Sequence, residues 1–254
     1  MESIPWFYPI MFGVAFFAGF VDSIAGGGGL ITLPVLLAIG VPPQAALGTN
    51  KFQSSFGSFT ATWYHVRQKV VDLKDALPGI IFTLIGAAVG TMLVQWIDNS
   101  ALQAIIPFLL LAIAIYFLFS PKVGDAETKP KLSPFIYYAI FGLSLGFYDG
   151  FFGPGVGSFW AIAFVLLLGF HLTKATGYTK LMNFVSNITA LALFLLKGNV
   201  LFPVGLTMAI GQIIGARMGS GIVVEKGAKF IRPIYLIIVL LTMIKLFYQR
   251  YYLH

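Results

Sequence analysis

Two aspartates, two lysines and two glycine tracts are the residues of this chain best suited to chemistry, and each kind occurs twice at a near-constant offset. Asp22 lies in Gly19-Phe20-Val21-Asp22-Ser23-Ile24-Ala25-Gly26-Gly27-Gly28-Gly29, and Asp149 in Gly146-Phe147-Tyr148-Asp149-Gly150-Phe151-Phe152-Gly153-Pro154-Gly155. A shift of 127 positions superposes Gly19/Gly146, Phe20/Phe147, Asp22/Asp149, Gly26/Gly153 and Gly28/Gly155. A shift of 129 superposes Gly48/Gly177, Lys51/Lys180, Thr60/Thr189, Gly86/Gly215 and Gly90/Gly219. A carboxylate beside backbone that cannot continue a helix, inside an apolar segment and duplicated, is the pattern of a transporter's binding site.

The glycines Gly26, Gly27, Gly28 and Gly29, and in the second copy Gly153, Gly155 and Gly157, let the backbone bend and expose N–H groups. A helix that restarts after such a break offers free N–H groups and a positive dipole end to an anion. An ionised aspartate at membrane depth costs about 2.5–3.5 kcal/mol on insertion scales, so Asp22 and Asp149 need a reason. Two readings stay open: proton coupling or orientation of the site, and structural capping of the N–H groups freed by the break. Lys51 and Lys180 open the third apolar segment of each half and are expected to supply the positive charge that selects an anion; snorkelling to the interface is the plainer alternative. Asn50, Gln53, Ser54 and Ser55 beside Lys51, and Thr179, Asn183, Ser186 and Asn187 beside Lys180, form polar stripes that should face a cavity, or else bond helix to helix. The expected substrate site is therefore Gly26, Gly27, Gly28, Gly29, Asn50, Lys51, Gln53, Gly153, Gly155, Gly157, Thr179, Lys180 and Asn183, with Asp22 and Asp149 in a coupling or structural role. Gly86/Gly90 and Gly215/Gly219 have the spacing of close helix packing.

The elements that position these groups are membrane helices. Of 254 residues 58% are hydrophobic and 10% charged, with a mean hydropathy of +0.90. Soluble domains carry roughly 25% charged residues, so the composition describes an all-α polytopic membrane protein. The absence of cysteine excludes disulfides, thiolate metal sites and thiol nucleophiles, and the three histidines form no local ligand spacing; no cofactor and no metal are expected. The net charge of +7 sits mostly between apolar runs, which points to lipid and not to nucleic acid. The opening Met1-Glu2-Ser3 lacks a basic leader region, so the first apolar run reads as a retained helix.

Five apolar segments fall in each half, near 5–25, 29–41, 45–66, 76–96 and 101–120, then 133–152, 155–170, 175–196, 201–222 and 231–249. The short ones cross as tilted or broken helices, or pair with their predecessor as a re-entrant hairpin. Either way the crossings per half are odd, and odd halves in tandem run in opposite directions. The expectation is two inverted repeats of about five segments each, with roughly eight to ten spans and the first segments broken at the glycine tracts. Residues 1–120 form the first repeat, 121–132 a cytoplasmic linker and 133–254 the second repeat. Arg67, Lys69 and Lys74, then Lys122, Lys129 and Lys131, then Lys226, Lys229 and Arg232 mark three cytoplasmic loops, and Asp98-Asn99 lies outside. A homodimer is left open.

At Val21-Asp22-Ser23-Ile24-Ala25-Gly26-Gly27-Gly28-Gly29, Gly48-Thr49-Asn50-Lys51, Gly153-Pro154-Gly155-Val156-Gly157 and Lys174-Ala175-Thr176-Gly177 the chain resembles the sulfite exporter TauE/SafE family, over nearly its whole length. The resemblance implies transport of small sulfur-containing anions, such as sulfite or organosulfonates, across a bacterial inner membrane. A secondary transporter is the leading expectation and an anion channel of the same architecture the alternative. An intramembrane enzyme ranks last, because neither a Gly-x-Ser-x-Gly elbow nor a His-Glu-x-x-His run is present.

Overall fold

The computed structural model describes residues 6–119 and 127–221, and every regular element in them is helical. The order is α1 (Phe7–Ala25), α2 (Gly29–Ala38), α3 (Pro43–Arg67), α4 (Leu77–Val94), α5 (Asn99–Phe119), α6 (Pro134–Tyr137), a π-turn (Tyr138–Gly142), α7 (Leu143–Phe151), α8 (Val156–Leu168), α9 (Leu172–Leu196) and α10 (Phe202–Ser220). Nine of the ten expected segments correspond to helices in this order; the tenth, near 231–249, and the basic loop 223–232 lie outside the described residues. By length and composition α1, α4 and α9 are apolar enough to cross a bilayer, while α2 and α8 are shorter apolar helices.

Helix directions follow from which residues meet. Along α1 and α10, Phe12 lies against Gly211, Phe16 against Gly215 and Phe20 against Gly219, so the two run parallel. Along α7 and α4, Leu143 lies against Gly86 and Phe147 against Gly90, again parallel. A Cβ on any of these four glycines would collide with the facing backbone, so Gly86/Gly90 and Gly215/Gly219 serve close packing, as their spacing indicated. The central helices α3 and α9 run antiparallel: Gly48 meets Phe194 at one end, and His65 meets Gly177 at the other. The contacts obey an exchange, since Phe16/Gly215 and Leu143/Gly86 are the same pair under the two sequence shifts.

α1 and α2 form a hairpin, because Met11 at the start of α1 and Leu36 and Leu37 near the end of α2 share one apolar cluster. Tyr137 and Tyr138, before α7, share a second cluster with Phe164 and Leu168 of α8, so this pair is also a hairpin. At about 1.5 Å per residue the ten residues of α2 reach only half of a 30 Å hydrocarbon core, which favours the re-entrant form over a full crossing.

The first cluster lies at the end of α3 where Gln44 takes a hydrogen bond from Asn199 and gives one to the carbonyl of Ile97. The second lies where α3 ends and α9 begins. This second end carries Arg67, Lys69, Lys74 and Lys174, with the Arg217 guanidinium over the Tyr64 ring. The end of the segment expected as a linker docks here, since the N–H groups of Thr128 and Lys131 donate to the carbonyls of Gly169 and Leu167.

Candidate functional site

The tips of the two hairpins meet in the interior. Gly26 has φ +70° and ends α1; a Cβ on it would lie 2.7 Å from Cα of Gly157, so backbone touches backbone at this point. Ser158 Oγ donates to the carbonyl of Gly26 at 3.1 Å. Around this junction is a cavity of about 30 Å³. That is room for about two waters, hence for a solute of a few heavy atoms.

Of the residues singled out in the sequence, Gly26, Gly27, Gly28, Gly29, Asn50, Lys51, Gly153, Gly155, Gly157, Asn183, Asp22 and Asp149 line this cavity. Gln53 does not; it stands behind Asn50, donating to Asn50 Oδ1 at 2.9 Å and to Thr32 Oγ1 at 3.0 Å. Thr179 is buried away from it, its hydroxyl without a hydrogen-bond partner among the described residues. Lys180 is buried beside the cavity, held by Asp22. Ser54 and Asn187, read in the sequence only as parts of a polar stripe, also line it. Gln212 was missed. It reaches the cavity from α10 through the space left by Gly19 and Gly57, and a lone glutamine in an apolar helix was its only signal.

The charged groups pair crosswise between the two halves. Lys51 Nζ donates to Asp149 Oδ1 at 2.5 Å and to Asn187 Oδ1 at 3.2 Å. Lys180 Nζ donates to Asp22 Oδ2 at 3.0 Å and also to the Asp22 main-chain carbonyl. Both lysine side chains are buried, so neither snorkels to an interface. Asp22 Oδ1 accepts the N–H of Gly28 at 2.9 Å, which caps the backbone freed at the first break. Asp149 Oδ2 instead accepts the hydroxyl of Ser186, whose position in the first half is Gly57. The two carboxylates also differ in exposure: the Asp22 side chain is 22% exposed and that of Asp149 only 3%.

Two ammonium groups and two carboxylates sum to zero. In this conformation neither lysine is a free cation, which the sequence did not reveal. The cavity itself offers amide and hydroxyl groups, glycine backbone and these paired charges. Among the described residues no group of three histidine or acidic side chains could hold a metal ion.

Residues 11–246 match the family described as Sulfite exporter TauE/SafE. The chain belongs to this family. It is 47% identical to the "Probable membrane transporter protein" of Haemophilus influenzae, over 96% of this chain and 96% of that one. It is 47% identical to the "Probable membrane transporter protein YfcA" of Escherichia coli, over 96% of this chain and 92% of the other. Identity falls to 24% with the "Probable membrane transporter protein YunE" of Bacillus subtilis, still over 95% of this chain. No solved structure matches. This TauE/SafE member is a multi-pass membrane transporter and not an enzyme.

Proposed function

We propose that the chain is a secondary transporter that moves a small anion, of the sulfur-containing class of sulfite and organosulfonates, across the bacterial inner membrane. Its site is the interior cavity, with Gly26 to Gly29, Asn50, Lys51, Gly153, Gly155, Gly157 and Asn183 against the substrate. Gln53, Thr179 and Lys180 support them from behind. Two inverted repeats, residues 1–120 and 133–254, are joined by a cytoplasmic linker at 121–132. The opposed directions of α3 and α9 support the inversion, and the cluster of Arg67, Lys69, Lys74 and Lys174 at one end supports the orientation.

The observation that carries this reading is the junction of two hairpin tips around a small polar cavity. Paired breaks at the centre of an otherwise apolar bundle suit alternating access, because each hairpin can part from the other on its own side. A channel of the same architecture is the second reading; the contact of Gly26 with Gly157 across the path weighs against a continuous pore.

Thermal unfolding of the purified protein with sulfite, thiosulfate, small sulfonates and carboxylates tests the substrate class. At 100 times its dissociation constant a ligand stabilises the folded state by about 2.7 kcal/mol. Stabilisation by carboxylates alone would overturn the sulfur-anion assignment. Saturable counterflow in vesicles separates carrier from channel. Labelling of Asp125→Cys from outside intact cells by an impermeant thiol reagent would overturn the orientation.

A further inference from the structure

Asp22 and Asp149 occupy equivalent positions and both line the cavity, yet only Asp22 is exposed to a useful extent. Asp149 is enclosed by Lys51 and Ser186 and is almost fully buried. Asp22 has more than a fifth of its side chain open and lines the cavity through the break it caps. A proton entering the cavity with water therefore reaches Asp22 first. Its partner Lys180 holds two acceptors, the carboxylate and the main-chain carbonyl of the same residue. Neutralising the carboxylate removes one charge and leaves the ammonium anchored in place by the carbonyl.

We propose that Asp22 carries the coupling proton of the transport cycle and that Lys180 is the cation this proton unmasks. The inference rests on the anion-transport reading above and names its driving ion. The balance is simple. The carboxylate of Asp22 takes one proton and becomes a neutral carboxylic acid, no other bond changes, and the local charge rises by one. A monoanion then enters the cavity, with the unmasked charge of Lys180 behind its wall, and restores neutrality. On the other side of the membrane the anion leaves, Asp22 releases its proton to water, and the pair with Lys180 re-forms. One proton crosses with each monoanion, and an empty site crosses with all its charges paired.

The titratable groups around Asp22 fit this assignment. Lys180 of α9 is its direct partner, and Lys51 of α3 and Asp149 of α7 line the same cavity already joined to each other. His65 of α3 lies close enough to Lys180 to interact with its charge. The cavity-lining residues of α2, α8 and α10, which are Gly29, Val156, Gly157 and Gln212, carry no titratable group. Asp149, with its carboxylate held by both Lys51 and Ser186, acts as the fixed member of the quartet.

Proteoliposomes containing the full chain test the proposal with labelled sulfite, thiosulfate, methanesulfonate and acetate, each assayed for counterflow, and methanesulfonate also for accumulation driven by a gradient of about two pH units. Accumulation decides with methanesulfonate, a monoanion whose acid does not cross lipid unaided: an electroneutral one-to-one coupling allows up to about 100-fold accumulation, because each pH unit contributes a factor of about ten. Thiosulfate, a dianion, and acetate and sulfite, whose neutral acids cross lipid, are judged by counterflow against empty vesicles. Asp22→Asn keeps an acceptor for the Gly28 N–H. Its accumulation, expressed relative to its own counterflow, should fall to equilibrium. Asp149→Asn, whose absolute rate falls because Lys51 loses its buried partner, should still accumulate relative to its own counterflow. Accumulation by Asp22→Asn, or its loss in Asp149→Asn alone, would overturn the assignment. Should Asp22→Asn fail to fold, a pH dye in lightly buffered vesicles of the unaltered protein decides instead. One proton per monoanion supports the coupling, and anion entry without proton movement defeats it. If the unaltered protein counterflows none of the four anions, the anion reading itself falls and the inference with it.

Discussion

The two ends of the α3/α9 pair are closed by equivalent residues made of different material. At the end near Gln44, Gly48 packs against the main-chain carbonyl of Asn199 and the ring of Phe194, and the N–H of Leu201 donates to Thr49 Oγ1 at 3.0 Å. At the basic end, Gly177 packs against the side chains of Val70, Val71 and His65, and the N–H of Asp72 donates to the Tyr178 hydroxyl at 3.3 Å. The apolar clusters differ in the same sense. Met11, Leu33 and Leu37 at the first end stand where Tyr138, Trp160 and Phe164 stand at the second.

Buried polar groups at the basic end, among them the Tyr137 hydroxyl, the Trp160 indole N–H and the His65 imidazole, have no partner among the described residues, and at the other end Gln95 Oε1 also lacks one. Buried groups left without partners raise the free energy of this conformation, and water entering that end would satisfy them. The repeat thus preserves the positions that demand a glycine or an N–H acceptor and varies the packing material. In doing so it makes one closure of backbone and the other of side chains.

The largest effect separating the two ends should come from their cores. Trp160 is completely buried and stacks on Phe164, with ring centroids 5.4 Å apart. Trp160→Ala is expected to cost about 3–5 kcal/mol, and the equivalent Leu33→Ala about 2–5 kcal/mol. Both are read as melting midpoints in detergent. A smaller loss for Trp160→Ala than for Leu33→Ala would mean that the aromatic end is already loosely packed.

Next come the glycines. A Cβ at position 48 would run into the Asn199 carbonyl, which is main chain and cannot rotate aside, whereas a Cβ at position 177 would lie 2.8 Å from a methyl of Val71. Gly48→Ala is expected to destabilise by about 1–3 kcal/mol through overpacking, and Gly177→Ala by less, because a valine rotamer can shift. Equal losses would remove the contrast between a backbone closure and a side-chain closure.

Much of this molecule was legible in the sequence because membrane helices announce themselves by composition, and because a repeat of Asp, Lys and Gly in order resists chance. The nine described segments, the glycine-mediated contacts and most of the cavity lining could be read in that way. The pairing of charges could not. Asp22 and Lys180 are separated by 158 positions, and Lys51 and Asp149 by 98. Nothing in either local sequence says which lysine an aspartate will meet. Gln212 escaped for a similar reason: it matters only because Gly19 and Gly57 leave room for it on two other helices. Gln53, Thr179 and Lys180 do not line the cavity, since a polar stripe on a helix is wider than the cavity it borders.

His65 offers a third handle on the comparison. It is buried, both of its ring nitrogens lack partners among the described residues, and the equivalent position in the other half is Phe194. His65→Phe removes the unsatisfied groups and gives the basic end the material of the other. It should stabilise the protein by about 1–3 kcal/mol, the desolvation penalty of a buried polar group without a partner, and should slow counterflow if opening of that end limits the cycle. Phe194→His should destabilise. A loss of stability in His65→Phe would mean that the imidazole has a partner in the conformation that dominates in solution.

The smallest expected difference lies in the hydrogen bonds that tie each loop to its helix. Thr49→Val deletes the 3.0 Å bond from the Leu201 N–H, and Tyr178→Phe deletes the longer 3.3 Å bond from the Asp72 N–H together with a marginal 3.5 Å contact to the Asp72 carbonyl. A typical hydrogen bond contributes about 0.5–1.5 kcal/mol net, and Thr49→Val should fall within that range. Tyr178→Phe should cost less, because the bond is longer and because Asp72 is exposed, so water replaces the lost acceptor. Its aromatic contacts, among them the Phe170 ring at 5.1 Å, survive the substitution. Amide hydrogen exchange separates the two cases more finely than melting does. The Leu201 amide should exchange faster in Thr49→Val, while the Asp72 amide should change little in Tyr178→Phe. A large rise at Asp72 would show that the basic end is held by this bond after all, and the two closures would then differ in material but not in strength.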